Sequence, residues 1–387
     1  MPWQEVDTVD LRREFVQFAA QGDRQVSALC RRYGISRKIG DKWLKRYAQG
    51  GDEALHDRSR RPKRQPRRSS AKTEGMVLSY RRRFPEWGGR KLARVMRNEG
   101  QTGIPSPSTI TEILRRHGEL HQPGEPAPTN FKRFEHPHPN DLWQMDFKGD
   151  FALDRGRCHA LTVLDDHSRF SVCLAACSDE RSDTVKGHLI QSFERYGLPQ
   201  RMTMDNGPPW GSSEQSRFTR LTVWLIENGV TISHSRPYHP QTQGKDERFH
   251  RTLKAELLGR RQFADHEHCQ RAFDPWRHRY NTQRPHEALE LDTPIQHYWP
   301  SSRMYRRKLP AYEYAPGDHV RKVGRNLNCG FKNYEVFVGQ PFQGKYVAFR
   351  PTTTDGVYSL HFCQQSIGSI DLATMPKRSS VRHRRVD

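Results

Sequence analysis

Residues 201–210 read RMTMDNGPPW, and the fold turns on how this stretch is read. Arg201 to Met204 is a brief apolar strand with Asp205 at its carboxyl end, followed by Asn206 and Gly207. Upstream, Val185, Leu189 and Phe193 recur every four residues and the run closes at Tyr196-Gly197 before Pro199, which predicts a helix. A strand reached through such a helix should lie parallel to an earlier strand. LWQMDFKG (142–149), CHALTVLDD (158–166) and RFSVCLAAC (169–177) supply the earlier strands as a three-strand meander. Downstream, Phe218, Leu221 and Leu225 predict a helix that stops at Gly229, and VTISH (230–234) makes a fifth strand. The loop SRPYHPQTQG (235–244) then leads into a helix with the apolar stripe Phe249, Leu253 and Leu257. The expected fold class is α/β, a mixed five-stranded sheet with helices.

Three carboxylates stand out in this frame: Asp146 on the first strand, Asp205 at the end of a parallel neighbour, and Glu247 on the last helix. At 100° per residue Glu247 points about 160° away from Phe249, with His250, Arg251 and Lys254 further along its own face. Such a set suits two Mg²⁺ ions, which prefer oxygen ligands and share the scissile phosphate in an in-line displacement. Taken singly, Asp146 also suits an exposed strand position, Asp205-Asn206-Gly207 a tight turn, and Glu247 a solvated helix face. Asp165 and Asp166 are rival carboxylates, although Asp-Asp-His-Ser at a hairpin reads first as turn chemistry. His234, His239 and His250 match no common zinc spacing and stand beside Arg236, Lys245 and Arg248, which points to DNA contact or loop packing.

The charge distribution agrees with a nucleic-acid enzyme. The chain of 387 residues carries a formal net charge of +21. Residues 1–120 hold 27 Lys and Arg against 14 Asp and Glu, residues 141–300 hold 21 against 22, and residues 301–387 hold 15 against 6. Basic flanks bind a polyanion while the central segment keeps the acids a metal site needs. No apolar run is long enough to cross a membrane, the N-terminus lacks the order of a secretory leader, and the seven scattered Cys form neither a disulfide framework nor a zinc site.

Residues 1–56 read as a first helix-turn-helix domain. Leu29, Cys30 and Tyr33 share one helical face, the chain breaks at Gly34, and a second helix capped by Ser36 turns Ile39, Trp43 and Tyr47 inward. Its outer face offers Arg37, Lys38, Lys42 and Lys45 to DNA. A basic linker, 57–72, adds Arg60, Arg61, Lys63 and Arg64. Residues 73–120 read as a second helix-turn-helix, with or without a wing, and 121–139 as a Pro-rich linker. The catalytic domain spans 140–300. Residues 301–387 predict a small basic β-barrel ending in a disordered basic tail.

MDF around Asp146, LTVLDDHSRF, MDNGPPW and RPYHPQTQGKDERFHRTLK together resemble the integrase core of bacterial insertion-sequence transposases. GISRKIGDKWLKRY, DRSRRP, PEWGGRKL and YNTQRPHEALELDTPIQHY extend the likeness along almost the whole chain, and the best match is the insertion sequence four-eighty-one family, related to retroviral integrases. The resemblance implies a ribonuclease-H-like core and a catalytic, metal-binding triad of Asp146, Asp205 and Glu247, dependent on Mg²⁺ or Mn²⁺. It also implies hydrolysis at the element's ends and transfer of the 3′-hydroxyl into target DNA. Gln243 and Gly244 match the family's Gln-Gly-x-x-Glu pattern and Lys254 its DNA-contacting lysine; Lys245, Arg248, His250 and Arg251 complete the expected DNA-binding set on that helix. Ile39 and Gly40 depart from the family's Thr and aromatic residue, and the glycine should weaken its helix by about 1 kcal/mol. The implied partners are double-stranded DNA and further copies of the chain, in the bacterial cytoplasm at the nucleoid. The rival reading is a sequence-specific DNA-binding regulator with an inactive core.

Overall fold

The computed structural model describes residues 7–21, 25–58, 68–120, 135–211, 218–234 and 244–375. Arg60, Arg61, Lys63, Arg64, Gln243, His239, most of both linkers and the basic tail lie outside the described residues. The chain divides into two compact units, 1–69 and 70–387.

The first unit is built from α1 (Thr8–Ala20), α2 (Val26–Arg32) and α3 (Arg37–Gly50) around Phe15, Val16, Leu29, Cys30, Trp43 and Leu55. Gly34 turns the chain between α2 and α3 at φ +63°, and the Ser36 hydroxyl accepts from the Ile39 amide at 3.3 Å to cap α3. Two readings change here. Ile39 is 42% exposed, and its place on the inner face is taken by Gly40. A Cβ on Gly40 would run into Cys30 Sγ and stand 3.0 Å from Phe15 Cζ. The glycine therefore lets three helices close, and the propensity lost in α3 is returned as packing.

The second unit opens with α4 (Ala71–Arg83), α5 (Gly89–Asn98) and α6 (Pro107–Arg116). Leu92, Val95 and Met96 of α5 meet Ile110, Ile113 and Leu114 of α6, with Trp87 stacked on Phe84 at 4.0 Å. Ser106 caps α6 and Pro107 takes its first position, where no amide partner is needed.

The central sheet has strands β1 (Leu142–Ala152), β2 (Arg157–Asp165), β3 (Ser171–Cys177), β4 (Arg201–Met204) and β5 (Thr231–His234) in the order β3-β2-β1-β4-β5. The first three pair antiparallel and the last two run parallel to β1. One face packs on α7 (Ser182–Tyr196) and α8 (Arg220–Glu227), through Trp143, Met145, Val163, Leu189, Phe193 and Leu225. The other face carries α9 (Gly244–Glu256) and α10 (His266–Thr282), through Leu164, Leu174, Phe249, Leu253, Phe273 and Trp276. Phe218, expected inside α8, precedes it; the helix starts at Arg220 because Thr219 and Thr222 form a capping box.

The outer edge at β3 is closed by α10. Gln270 Oε1 accepts from the Ala176 amide at 2.8 Å, Asn281 Oδ1 accepts from the Ser171 amide at 2.8 Å, and Arg277 donates to the Val172 carbonyl at 2.7 Å. Side chains thereby do for the edge what another strand would do.

The C-terminal segment forms an antiparallel sheet, β11-β10-β9-β6, from β6 (His319–Lys322), β9 (Tyr346–Pro351), β10 (Val357–Phe362) and β11 (Gln365–Asp371). A ribbon of β7 (Asn328–Phe331) and β8 (Tyr334–Phe337) packs beside it, with Phe331 stacked on Phe349 at 4.2 Å. Instead of one closed barrel, the described strands make a four-stranded sheet and a separate two-stranded ribbon.

Candidate active site

The parallel register of β1 and β4 sets Gln144 opposite Thr203. Two residues further on, Asp146 and Asp205 come level at the same end of the sheet. The Asp205 carboxylate accepts from the Gly207 amide at 3.1 Å, and its carbonyl accepts from His234 Nδ1 at 2.9 Å, at the end of β5. The chain then folds back so that buried Trp210 stacks on Phe147 at 5.6 Å.

Glu247 stands exposed on the first turns of α9, while Phe249 and Leu253 of that helix are buried. Thr162, paired with Asp146 across β1 and β2, ties the helix to the strands. Its hydroxyl donates to the Asp146 carbonyl at 2.9 Å and lies 2.8 Å from His250 Nε2. With the hydroxyl proton directed at the carbonyl, His250 Nε2–H is the donor of the second bond. Burial, followed by the nearby Lys148 charge, lowers the imidazole pKa to about 4, so this histidine is neutral.

Asp146 feels the charge of the other two acids. Burial raises the Asp146 carboxyl to about 6, with Asp205, Glu180 and Glu247 adding to the effect. Asp205 is also raised, first by burial and then by Glu180, against the Gly207 amide and His234. Among the described residues no Lys or Arg pairs with Asp146, Asp205 or Glu247. Carboxylate oxygens with no Lys or Arg partner among the described residues have the donor chemistry of a hard divalent ion's site. In this structure, however, no three His, Cys, Asp or Glu side chains among the described residues stand close enough to hold one ion.

The other expected site residues divide. Arg248, Arg251 and Lys254 are exposed on α9, and Gly244 is exposed at its start. His250 is turned inward to Thr162, and Lys245 is turned inward to Asp166 at 2.5 Å. In the first unit Arg37, Lys38, Lys42 and Lys45 are all exposed, with Arg37 paired to Asp41 at 3.1 Å. The rival acids are buried and saturated. Asp165 accepts from the Ser168 amide, the Ser168 hydroxyl and the Asn140 amide, whereas Asp166 accepts from Gln144, the His136 amide and Lys245. Both hold the β2–β3 hairpin and its neighbours, as turn chemistry requires.

Two acids escaped the sequence reading. Asp246 is 1% exposed, and burial together with Asp146, Asp166 and Glu247 holds its carboxyl well above the usual range. It lies three residues before Phe249 and seven before Leu253, so the helical stripe itself could have marked it. Glu180, past the end of β3, bears on both Asp146 and Asp205 and is bound at 2.9 Å by His159; nothing local in the sequence singles it out. A cavity of about 600 Å³ lies between α7, α8 and the C-terminal sheet, lined by Trp224, Tyr305, Tyr312 and Tyr346 among others, and Asp146, Asp205 and Glu247 are not part of its lining.

Comparison with known proteins places these parts. Integrase core domain models match residues 136–240 and 228–294. A helix-turn-helix domain model matches 11–63, a homeodomain-like domain model 40–114, and the C-terminal domain of IS481 family transposases 318–377. The chain is 29% identical over 158 residues to a 31.7 kDa protein of insertion element IS407 from Burkholderia multivorans, which covers 41% of this chain and 55% of that protein. It is also 29% identical to a 39.2 kDa protein of insertion element IS476 from Xanthomonas euvesicatoria, over 41% of this chain and 44% of that one. The match thus spans about half the length of these relatives. Among solved structures, the simian T-cell lymphotropic virus intasome in complex with PP2A regulatory subunit B56 gamma aligns at TM-score 0.37 and 16% identity, covering 76% of this chain and 99% of that one. The HTLV-2 integrase catalytic core domain in complex with magnesium aligns at 0.32 and 16%, covering 42% and 97%. With helix-turn-helix domains, an integrase core and the C-terminal domain of IS481 family transposases following one another along a single chain, the protein is most like the IS481 family of bacterial transposases.

Proposed function

We propose that this chain is a polynucleotidyl transferase that binds the ends of its insertion sequence, hydrolyses the phosphodiester there, and joins the freed 3′-hydroxyl to target DNA. The observation that carries the reading is that Asp146 of β1 comes level with Asp205 beyond β4 at one end of the sheet, and that the charges of Asp205 and Glu247 both bear on the Asp146 carboxyl. Asp146, Asp205 and Glu247 would hold two Mg²⁺ ions, or Mn²⁺ in their place. Such ions, when bound, supply polarisation of the attacking oxygen and neutralisation of the leaving 3′ oxygen.

The chain's own residues do the positioning. His250 and Thr162 hold α9 to the strand of Asp146, so that Glu247 is carried by a helix fixed at its second turn. Arg248, Arg251 and Lys254 are exposed on the same helix and offer cations to the phosphates flanking the scissile bond. Arg37, Lys38, Lys42 and Lys45 of α3 suit a recognition helix in the major groove, and Arg60, Arg61, Lys63 and Arg64 suit the adjoining backbone. Gln243 and Gly244, which precede Glu247 by four and three residues in the sequence, would complete the DNA contacts. Two ends must be paired, so the working form is a dimer or larger assembly. Among the described residues no helix is long and apolar enough to cross a membrane, and the proposed setting is the cytoplasm, at the nucleoid.

One observation favours a second reading, a DNA-binding regulator with an inactive core: the acids are not gathered around one point. Purified protein, a duplex bearing the element's end, and Mg²⁺ against EDTA separate the two. The transferase reading requires nicked and joined products in Mg²⁺ that vanish in Asp205→Asn while end binding persists. Binding without products in the unaltered protein, or products retained in Asp205→Asn, refutes it.

A further inference from the structure

Lys245 was expected to meet DNA, and its position says otherwise. Its Nζ lies 2.5 Å from Asp166 Oδ1 and 3.0 Å from the Asp166 carbonyl, and its side chain is only 17% exposed. Asp166 is itself 1% exposed and held from two further sides, by Gln144 Nε2 at 2.8 Å and by the His136 amide at 2.9 Å. Arg169 donates to the Asp166 carbonyl and to Glu135 Oε2 at 2.9 Å, which fixes the hairpin end around it.

The placement of these three residues in sequence gives the network its meaning. Gln144 precedes Asp146 by two residues on β1, so the two side chains share a face of the strand. Lys245 precedes Glu247 by two residues in the first turn of α9. The chain Gln144–Asp166–Lys245 therefore connects the strand of the first acid to the start of the helix that carries the third. His250 and Thr162 make the second attachment one turn further along. Two attachments a turn apart fix both the axial position and the rotation of α9, whereas one would leave the helix free to pivot.

We propose that Lys245 is a positioning residue, which through its ion pair with Asp166 sets the first turn of α9 and so the approach of Glu247 to Asp146 and Asp205. The inference rests on the transferase reading above. A lysine that held a phosphate would instead face solvent beside Arg248 and Arg251. A buried pair of this kind contributes placement more than net stability, since both charges lose water on meeting.

The test compares Lys245→Met, Lys245→Arg, Asp166→Asn and the double variant Lys245→Met/Asp166→Asn with unaltered protein. Binding of Mn²⁺ alone is followed by the electron paramagnetic resonance signal of the free ion, without DNA. End-duplex affinity is measured over a salt series, and cleavage over a Mg²⁺ series. Positioning predicts that Lys245→Met weakens Mn²⁺ binding and raises the half-saturating Mg²⁺ at least about tenfold, with duplex affinity and salt slope unchanged. Lys245→Arg should restore most of the loss, and the double variant should be no worse than the poorer single one, because both remove the same link.

Loss of duplex affinity, with the salt slope reduced by about one and Mn²⁺ binding intact, assigns Lys245 to a phosphate and overturns the proposal. Unchanged Mn²⁺ binding and cleavage in Lys245→Met overturn it as well. Should Lys245→Met fail to fold, Asp166→Asn and Lys245→Arg carry the same comparison, and additive losses in Mn²⁺ binding refute the shared link. Unaltered protein that cuts no end duplex removes the transferase reading, whereas cutting that is indifferent to Lys245→Met removes only this inference.

Discussion

The indole Nε1 of Trp87 donates to Glu256 Oε1 at 3.0 Å, joining the second helix-turn-helix to the helix that carries Glu247. Glu256 also accepts from Trp276 Nε1 at 3.2 Å and from Arg284 Nε at 2.9 Å, so one nearly buried carboxylate gathers the DNA-binding module, α10 and the Arg284-Pro285-His286 turn. Arg260–Glu86 and Arg94–Asp292 pairs lie on the same boundary. Trp87→Phe should cost about 2 kcal/mol, the loss of one hydrogen bond to a charged group. Glu256→Gln should cost about 3 kcal/mol, since Arg284 is left buried without its counter-charge. Urea unfolding of unit 70–387 in the full chain measures both, and a smaller loss in Glu256→Gln than in Trp87→Phe contradicts the account.

The raised Asp146 and Asp205 carboxyls fix a pH dependence. A carboxyl whose folded pKa lies above its unfolded value stabilises the fold at low pH, and that contribution is lost as pH rises through the folded value. Without metal, stability should therefore fall between about pH 4 and pH 6 for Asp146. Mg²⁺ needs the ionised form, so its apparent affinity should weaken as pH drops below about 6. Melting temperatures across pH 4–8 with and without Mg²⁺ check both signs; a Mg²⁺ effect that is larger at pH 5 than at pH 7.5 rejects the assignment.

Asp246→Asn should stabilise the protein. Its buried Oδ1 has no hydrogen-bond partner, and the charges of Asp146, Asp166 and Glu247 oppose its ionisation. The same sign rule applies, with stability lost as pH rises above the ordinary carboxylate range. Removing the charge should gain about 1–2 kcal/mol at pH 8 and little near pH 4, because only the ionised form carries the penalty. Chemical denaturation at the two pH values reads the difference, and equal gains at both would count against it.

Gly40→Ala should lower stability by about 1 kcal/mol or more, although alanine is the better helix former. The added methyl meets Cys30 Sγ and Phe15, and overpacking of this kind outweighs the propensity gained. Thermal melting of the protein decides it, and a rise in melting temperature would show that the helices can part at little cost.

Arg248, Arg251 and Lys254 share exposure on α9, and each changed to Ala should reduce the salt slope of end binding by about one while leaving the melting temperature within a degree or two. A salt series by fluorescence anisotropy tests this, with an unchanged slope in all three as the contrary result.

Much of the core was legible because its signals are local. The strand runs, the helix ending at Gly197 and the placement of Asp205 past β4 each follow from spacing within a few residues. Helix faces at their margins were not. Ile39 turned out and Gly40 in, since the inner face of α3 is set by the neighbouring Phe15 and Cys30. Lys245 and His250 turned inward because their partners, Asp166 and Thr162, lie 79 and 88 residues away, beyond the reach of any periodicity. The C-terminal segment reads as strands from its composition, but whether those strands close into a barrel depends on pairings that spacing does not encode.

The sealing of β3 by Gln270, Arg277 and Asn281 bears on how copies of this chain could come together. Along that rim the main-chain groups named above are already satisfied from within, so a visiting chain finds no ladder to extend. A second copy meeting the first there must do so side chain to side chain, through a contact that can form and dissolve without disturbing the sheet that holds Asp146 and Asp205.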